Sequence, residues 1–442
     1  MTAGQGAHPL SDSDMRQPEA AAAWLRTTTA VRERAAELLA RARRGDSGFF
    51  TIGDGSTLDD AAREVVQATQ ARYAWRPIPY HSRWRHFEAG GVDRSAELDR
   101  LLGDHATPRM RAQARIDLAV VSVLLDAGAG ADWAYHESAS DQRFSRSEGL
   151  AVASFHAFTA GLFSSDPDHP LQADAAGLRG LVADRLAQAF QVRADNPLVG
   201  LDGRVTLLRR LGEVLAEQPQ VFGTEVQRPG GLFDMLIAPE GVEVPPTATV
   251  QVHDILTLLL ESLSAIWPTG NYLHREPTAL PGPGESGLAL GDCWQHSGVG
   301  GDGHTKGWVP FHKLSQWLTY SLIEPFEWAG VKVEGLDALT GLPEYRNGGL
   351  LLDAGVIVPR DAALLARSWQ VADEFIVEWR ALTVALLDEL APLVRKHLGR
   401  DADAMPLACV LEGGTWAAGR ATAERLRGGL PPLRIDSDGT VF

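Results

Sequence analysis

The sequence predicts a mainly α protein, a multi-helix bundle with a few short strands. Apolar residues recur at helical spacing along most of the chain, beginning with Trp24, Val31 and Leu38. Strand-like alternation is confined to short runs at about 49–52, 242–244 and 433–435. Of the 442 residues, 45% are hydrophobic and 22% are charged, which is a composition typical of globular proteins that bury a large core.

Helix start and stop signals follow one another along the chain. Thr57-Leu-Asp-Asp60 has the form of a capping box, and Thr107-Pro108 places a cap before a proline at the first helical position. Glycines at 45 and 128 are suited to end the helices that precede them. The predicted helices cover about 24–44, 57–73, 107–125, 146–163, 174–192, 203–220, 250–266, 310–329, 343–354, 361–398 and 414–427.

The expected organisation is one helical catalytic domain at 18–400. A polar, mobile arm is expected at 1–17, and an extension that packs on the domain is expected at 401–442. The longest interruption of the helical pattern, at about 269–308, is rich in glycine and proline, and we expect it to be a lid or binding loop. The same stretch could instead divide two domains.

Charge and cysteine content limit the function classes. The formal charge of −16, from 57 acidic and 41 basic residues, argues against binding to duplex nucleic acid. Two cysteines favour a reducing compartment, and the N-terminus lacks the apolar region of a secretory signal. The apolar runs are shorter than the roughly 18 residues that a membrane span requires. We therefore expect a cytoplasmic protein that acts on a small molecule.

A cationic and aromatic cluster lies in Tyr80-His-Ser-Arg-Trp-Arg-His-Phe-Glu-Ala-Gly-Gly91, which is predicted to be a loop. Arginine forks bind phosphate or carboxylate, and aromatic rings provide stacking faces. The cluster therefore predicts a site for an anionic small molecule. The alternative is a surface loop whose arginines pair with nearby acids. The candidate residues are His81, Arg83, Trp84, Arg85 and His86.

Possible metal ligands lie between Gly291 and His312, namely Cys293, His296, His304 and His312. Their later spacings match no short metal signature, so we expect no metal and no cofactor. The formal G-x-G-x-x-G at 298–303 has no predicted strand before it and no predicted helix at its end. It therefore fails the context that dinucleotide binding requires.

The segment Leu339-Thr-Gly-Leu-Pro-Glu-Tyr-Arg-Asn-Gly-Gly349 predicts a helix start with Glu344 in its first turn. Amide N–H groups and the helix dipole stabilise an anion there, so Glu344 is suited to oppose a developing positive charge. The alternative is simple compensation of the dipole. Gly348 and Gly349 inside a helical pattern predict a close approach by backbone or ligand.

A further helix is predicted to begin near Phe311, with Lys313 and Gln316 three residues apart on one face. Both are candidate site residues. The alternative for Lys313 is a solvated lysine on the surface.

These segments resemble the uracil catabolism protein 4 family of fungi and bacteria. The resemblance covers nearly the whole chain. It rests on the 81–91 segment, Asp117 to Gly128, Arg228-Pro-Gly-Gly-Leu-Phe233, the 339–349 segment, Leu411-Glu-Gly-Gly-Thr-Trp-Ala-Ala-Gly-Arg420 and Ser437-Asp-Gly-Thr-Val-Phe442. It implies a place in a pathway that converts uracil to its ribonucleotide, opens the ring and ends in urea.

A second, more distant resemblance is to the queuosine salvage proteins, which look like helical DNA glycosylases and cleave an N-glycosidic bond. Phe311-His-Lys-Leu-Ser-Gln316, Glu344-Tyr-Arg346 and Asp353-Ala-Gly-Val-Ile357 occur in the order of that family's motifs. Thr340 matches the threonine that precedes the family's catalytic aspartate. Here Glu344 replaces that aspartate, and Asn347-Gly-Gly replaces Val-Pro-Gln.

Together these resemblances imply hydrolysis of the N-glycosidic bond of ribosylurea 5-phosphate to urea and ribose 5-phosphate. Glu344 would oppose the oxocarbenium-like cation, and His81, His86 or Lys313 would protonate the leaving nitrogen. Arg83, Arg85 and Arg346 would hold the phosphate, and Trp84 and Tyr345 would wall the pocket. Gln316 and Asp353 complete the expected binding set. The alternatives are a metal-dependent amidohydrolase that uses Cys293, His296 and His304, and a non-catalytic pathway scaffold.

Overall fold

The computed structural model describes residues 17–126, 128–239, 241–267, 270–274 and 287–436. The predicted mainly α class is confirmed. The α-helices are α1 (Pro18–Leu25), α2 (Thr28–Arg44), α3 (Gly55–Tyr73), α4 (Arg83–Phe87), α5 (Arg94–Leu102), α6 (Pro108–Leu124), α7 (Arg146–Thr159), α8 (Ala175–Arg179), α9 (Ala183–Ala189), α10 (Leu201–Glu217), α11 (Pro219–Phe222), α12 (Gly231–Leu236), α13 (Val252–Leu263), α14 (Lys313–Trp328), α15 (Tyr345–Asp353), α16 (Glu374–Leu398), α17 (Leu407–Val410) and α18 (Trp416–Arg427).

The strands of the described ranges are three residues long or slightly longer and pair two by two. The antiparallel pairs are β1 (Phe50–Ile52) with β10 (Ile357–Pro359), β2 (Ala134–Glu137) with β3 (Gln142–Ser145), β5 (Tyr272–His274) with β6 (Gly287–Ala289), and β7 (Cys293–Gln295) with β8 (Trp308–Pro310). The parallel pairs are β4 (Thr249–Gln251) with β9 (Lys332–Glu334), and β11 (Ser368–Gln370) with β12 (Arg434–Asp436).

The core is built around α14 and α16, and most residues of these two helices are buried. In α14 every residue from Ser315 to Phe326 is buried, because α6 and α13 pack against it. The 25-residue α16 packs on α2 and α3. One apolar cluster includes residues from Leu39 through Leu433, so distant parts of the chain share a single interior.

Several predicted boundaries are wrong for local reasons. Helix α3 begins at Gly55 because Asp54, rather than Thr57, caps it. The helix predicted at 361–398 begins only at Glu374, after strand β11. The helix predicted at 174–192 is divided at Gly180, and the strand predicted at 242–244 is absent. Thr107 caps α6 as predicted, accepting a hydrogen bond from Met110 N.

Two predicted loops have more structure than expected. The 80–91 segment contains α4 and a 3-10 turn at Ala89–Gly91. The long interruption contains the β5–β6 and β7–β8 pairs in its described part. The predicted arm lies almost wholly outside the described residues.

The last described segment returns to the helices that carry the candidate site. After α17 a five-residue π-helical turn, Leu411–Thr415, leads into α18. The π turn packs on α3, and α18 packs on α15. In the described part of the chain, no helix has the length and apolar character needed to cross a bilayer.

Candidate functional site

A cavity of about 370 Å³ lies where α14, α15, α7 and the start of α18 converge. We call it the central cavity. Its charged and aromatic lining residues are His81, His86, Asp126, Arg146, Lys313, Trp317, Glu344, Tyr345, Arg346 and Trp416. The structure thus brings together Glu344, Lys313, His81, His86, Tyr345 and Arg346 from the residues that the sequence singled out.

Glu344 is the N-cap of α15. Its Oε2 accepts a hydrogen bond from Arg346 N at 2.8 Å, and its Oε1 accepts one from Asn347 N at 2.7 Å. The sequence predicts Glu344 within the first turn of this helix, and the structure instead has it one position before that turn, as the N-cap. Both oxygens are already engaged by N–H groups that compensate the negative charge, which suits the carboxylate to electrostatic stabilisation more than to proton abstraction.

Lys313 is the first residue of α14 and lies opposite Glu344 in the lining. No hydrogen bond or ion pair of Nζ occurs among the described residues. Burial lowers the pKa of Lys313, and the charge of Glu344 partly offsets this change. A buried ammonium group gives up its proton more readily than an exposed one. Lys313 is half-buried and lines the central cavity, so the alternative of an ordinary lysine on the outer surface does not describe it.

A buried ion pair ties the starts of α14 and α15 together. Both Nη atoms of Arg380 donate to Asp292, at 2.7 and 2.8 Å. Oδ2 of Asp292 also accepts from Lys313 N at 3.0 Å, and Arg380 Nε donates to Pro343 O at 3.4 Å. The Arg380–Asp292 ion pair thus helps to set the backbone positions of Lys313 and of Pro343, which precedes Glu344.

Gln316 acts behind the cavity wall and does not line it. Its amide donates to the Thr340 hydroxyl at 2.7 Å and accepts from Thr340 N at 2.8 Å. The expected contact of Gln316 with substrate is not supported by this placement. Because Gln316 is fully buried, it instead holds the 339–344 segment against α14.

The close approach predicted at Gly348 is made by a side chain. A Cβ at this position would lie 2.5 Å from Cζ2 of Trp379, whose Nε1 donates to Gly348 O. At Gly349 the nearest atom, in Pro432, would be 3.3 Å away. Neither glycine lines the central cavity, so the contacts seen are with protein.

His81 is half of a buried histidine–carboxylate pair. Its Nδ1 lies 2.9 Å from Oε2 of Glu412, and Oε1 of Glu412 accepts from Arg72 and Tyr73. Burial by itself raises the pKa of Glu412, but the hydrogen bond and charge of His81, with those of Arg72 and Tyr73, bring it down to about 2. Since Glu412 is ionised, it accepts from Nδ1 of His81, and Nε2 is the ring nitrogen that Glu412 does not engage.

Glu412 lies in the π-helical turn, which widens the backbone just before α18. Such turns are frequent at functional sites because they change the direction of one side chain within a helix. Glu412 was not singled out from the sequence. Its presence inside an unusual Glu-Gly-Gly string was the available signal.

His86 is neutral at neutral pH. Burial, with the charge of the neighbouring Arg83, lowers the pKa of His86 to about 4. The Arg83 guanidinium donates to Nδ1 at 3.4 Å. The ring therefore lacks a readily released proton, and His86 is the weaker of the two histidine candidates for general acid.

Three residues of the 81–91 segment have other partners than expected. Arg83 is fully buried, pairs with Asp126 at 2.9 Å and donates to Ser122 and Ser147. Trp84 lies in the core and donates to Ser321 O. Neither lines the central cavity.

Arg85 pairs with Glu324 at 2.7 Å and with Glu88 at 2.9 Å. The alternative that these arginines pair with acids thus describes Arg83 and Arg85, although Arg83 is buried and not on the surface.

Helix α15 carries Tyr345 and Arg346 into the cavity and Asp353 away from it. Arg346 donates from Nε to the Tyr345 hydroxyl at 3.0 Å, and its guanidinium lies 4.1 Å from the centre of the Trp416 ring. Asp353, at the other end of the helix, forms a fork with Arg427 at 2.6 and 2.8 Å. The structure does not bring Asp353 to the cavity.

Four charged or aromatic lining residues were not predicted as site residues: Asp126, Arg146, Trp317 and Trp416. Asp126 follows α6, and Arg146 begins α7 in the left-handed region at φ 55°. A non-glycine residue in that region is uncommon and is enriched at functional sites. No local pattern of residues predicts this conformation.

A larger cavity of about 670 Å³ adjoins the central one and shares His81, His86, Arg146 and Trp416 with it. Its remaining charged lining is Arg72, Arg85, Arg143, Glu148, Glu412, Arg420 and Glu424. Most of these charges are paired, as Arg420 is with Glu148 at 3.0 Å.

The possible metal ligands at 291–312 do not form a cluster. Cys293 is buried among apolar residues near α1, His296 lies 3.3 Å from Glu378, and Nε2 of His312 lies 2.8 Å from Leu25 O. Within the described ranges, no three His, Cys, Asp or Glu side chains are grouped so as to hold a metal ion. The geometry that the amidohydrolase alternative would use is therefore not seen there.

The fold and the cavity define a helical protein with a charged, aromatic-lined cavity of small-molecule size. The family model described as "Protein of unknown function (DUF1688)" matches residues 24–442, and the chain belongs to this family. "Protein urg3" of Schizosaccharomyces pombe is 38% identical over 420 residues, which cover 93% of this chain and 96% of that protein. "Uracil catabolism protein 4" of Lachancea kluyveri is 36% identical over 447 residues, covering 95% and 98%. The resemblance to the uracil catabolism protein 4 family is confirmed.

Proposed function

We propose that this protein acts in uracil catabolism and hydrolyses the N-glycosidic bond of ribosylurea 5-phosphate, giving urea and ribose 5-phosphate. The name of the Lachancea kluyveri relative supports the pathway. One observation carries the reaction class: the Glu344 carboxylate, held by two backbone N–H groups, lines the same cavity as the half-buried Lys313, whose Nζ has no partner among the described residues.

The chemistry assigns each group one task. The C1–N bond breaks, its electron pair leaves with the urea nitrogen, and Lys313 supplies a proton to that nitrogen. Glu344 stabilises the positive charge that develops on the ribose ring. A water oxygen bonds to C1, and its proton passes to Nε2 of His81, which Glu412 orients through Nδ1.

The aromatic lining complements this assignment. Trp317 and Trp416 provide flat apolar faces next to the histidines, with Trp317 5.9 Å from His86 and Trp416 6.4 Å from His81 between ring centres. Such faces exclude bulk water, which strengthens the effect of Glu344 on a developing cation.

The deciding experiment incubates purified protein with ribosylurea 5-phosphate and follows urea, reducing sugar and ammonia together. We expect urea and ribose 5-phosphate in equal amounts. Ammonia release without urea would favour the amidohydrolase alternative. Binding of the compound with no product would favour the scaffold alternative. Either result would refute the glycosidase proposal.

A further inference from the structure

The central cavity contains a buried arginine without a carboxylate partner. Arg346 is only 6% exposed, and neither Nη atom has a hydrogen bond or ion pair among the described residues. Its Nε is held by the Tyr345 hydroxyl, and its plane lies over Trp416, so the side chain is already oriented. A buried, uncompensated guanidinium is costly, and an anionic ligand would remove that cost.

The balance of charge in the lining also favours an anion. Three cations, Arg146, Lys313 and Arg346, face two carboxylates, Asp126 and Glu344. Asp126 is already neutralised by Arg83 from behind the wall. Glu344 is compensated by the start of α15. The cavity therefore has positive charge that no described residue matches.

Arg146 is the second arginine of this group. It lines both cavities, and its guanidinium has no ion pair in the described part of the chain. It shares the lining of the central cavity with Tyr345 and Arg346. Arg146 also begins α7, whose N-cap residue Ser145 makes no capping bond with its side chain.

We propose that Arg346 and Arg146 form an oxyanion subsite that binds the phosphate monoester of the substrate. Arg346 presents its two Nη atoms as a fork, which matches two oxygens of one phosphate. Arg146, nearer the solvent, adds charge at the side shared by the two cavities. The assignment rests on the proposed function for the identity of the remaining substrate, and it replaces Arg83 and Arg85 as phosphate ligands.

The test measures binding of ribose 5-phosphate, inorganic phosphate and ribose to the full chain by calorimetry at one fixed ionic strength. We expect ribose 5-phosphate to bind at least about tenfold more tightly than ribose, since charge-assisted hydrogen bonds are the strong ones. Arg346→Gln is expected to reduce the affinity for ribose 5-phosphate about tenfold or more and that for ribose little. Arg146→Gln is expected to have a smaller effect, about threefold to tenfold.

Arg143→Gln is the matched control, because Arg143 is an exposed arginine that lines only the neighbouring cavity. It should leave all three affinities unchanged. Equal binding of ribose and ribose 5-phosphate by the parent protein would overturn the proposal. So would unchanged phosphate affinity in the Arg146 and Arg346 variants. If Arg346→Gln does not fold, the affinities of Arg146→Gln and Arg143→Gln for ribose 5-phosphate decide. Equal affinities of these two variants would then overturn the proposal.

Thermal unfolding separates a binding role from a structural one. Without phosphate, Arg346→Gln should be no less stable than the parent protein, because it removes an uncompensated buried charge. The parent should gain stability on adding ribose 5-phosphate, and the variant should gain much less. A variant that is less stable and still gains as much as the parent would show that Arg346 is structural.

Failure of the phosphate subsite can be distinguished from failure of the proposed glycosidase reaction. Phosphate binding that depends on both arginines, with no urea released from ribosylurea 5-phosphate, would retain the subsite and refute the reaction. Urea release that is insensitive to both substitutions would retain the reaction and refute the subsite.

Discussion

Glu344→Gln is the most informative substitution, since it removes a charge while keeping the shape of the side chain. In the structure the two carboxylate oxygens accept from two different N–H groups. A glutamine has one acceptor oxygen, so one of these bonds is lost and an amide NH₂ then faces an N–H donor. The loss of a helix cap costs about 0.5–2 kcal/mol, which for a chain of 442 residues corresponds to a fall in Tm of about 0.5–2 °C.

The effect on turnover should be much larger than the effect on stability. A carboxylate that opposes an oxocarbenium ion stabilises the transition state and does little for the neutral ground state. We expect kcat to fall at least about a hundredfold, with little change in KM, as when one electrostatic stabiliser is removed. Glu344→Asp keeps the charge and should be milder. The assay is the initial rate of urea release, together with thermal unfolding of the same preparations.

Asp54→Asn is the matched control. Asp54 also caps a helix, since its Oδ1 accepts from Ser56 N and Thr57 N at the start of α3, but it is exposed and does not line the central cavity. The substitution removes one charge from a helix start and should leave turnover unchanged. If Glu344→Gln behaves as this control does, Glu344 is only a cap and the proposed mechanism is wrong.

Three further predictions concern packing, pH and metal. Gly348→Ala should lower the free energy of unfolding, measured by urea titration, by about 1–3 kcal/mol, because its Cβ would meet the Trp379 ring. Gly349→Ala should be nearly neutral in the same titration, and equal losses for the two variants would refute the packing argument. The pKa of Glu412 is about 2 against an ordinary 4.5, so its ionised form contributes about 3 kcal/mol to the free energy of unfolding. This contribution is complete above pH 4.5 and is lost as the pH falls towards 2. The difference in unfolding free energy between the parent and Glu412→Gln should therefore shrink between pH 5 and pH 3, and a constant difference would contradict this assignment. Cys293→Ser, in an apolar cluster, should retain turnover with or without chelator, and loss of activity on removal of a bound metal would favour the amidohydrolase.

Local features of the candidate site were predictable from the sequence. The approximate start of α15 and the carboxylate beside it depend on hydrogen bonds that span only two or three residues, so a short string of residue types is enough to predict them, although not that Glu344 is itself the cap. The same is true of the mainly α class, because helical periodicity is a local signal. The start of α14 near Lys313 followed from the same kind of pattern.

Only the tertiary structure decided which charges remain free for a ligand. Arg85 lies 239 residues from Glu324, and His81 lies 331 residues from Glu412, so no local pattern could reveal either pairing. The arginines of the 81–91 segment looked available, yet their carboxylate partners came from other helices, while Arg346 was left without one. An ion pair depends on distance in space and on burial, and those are set by how the helices pack. The sequence therefore determined the kinds of groups present, and the packing determined which of them face the cavity.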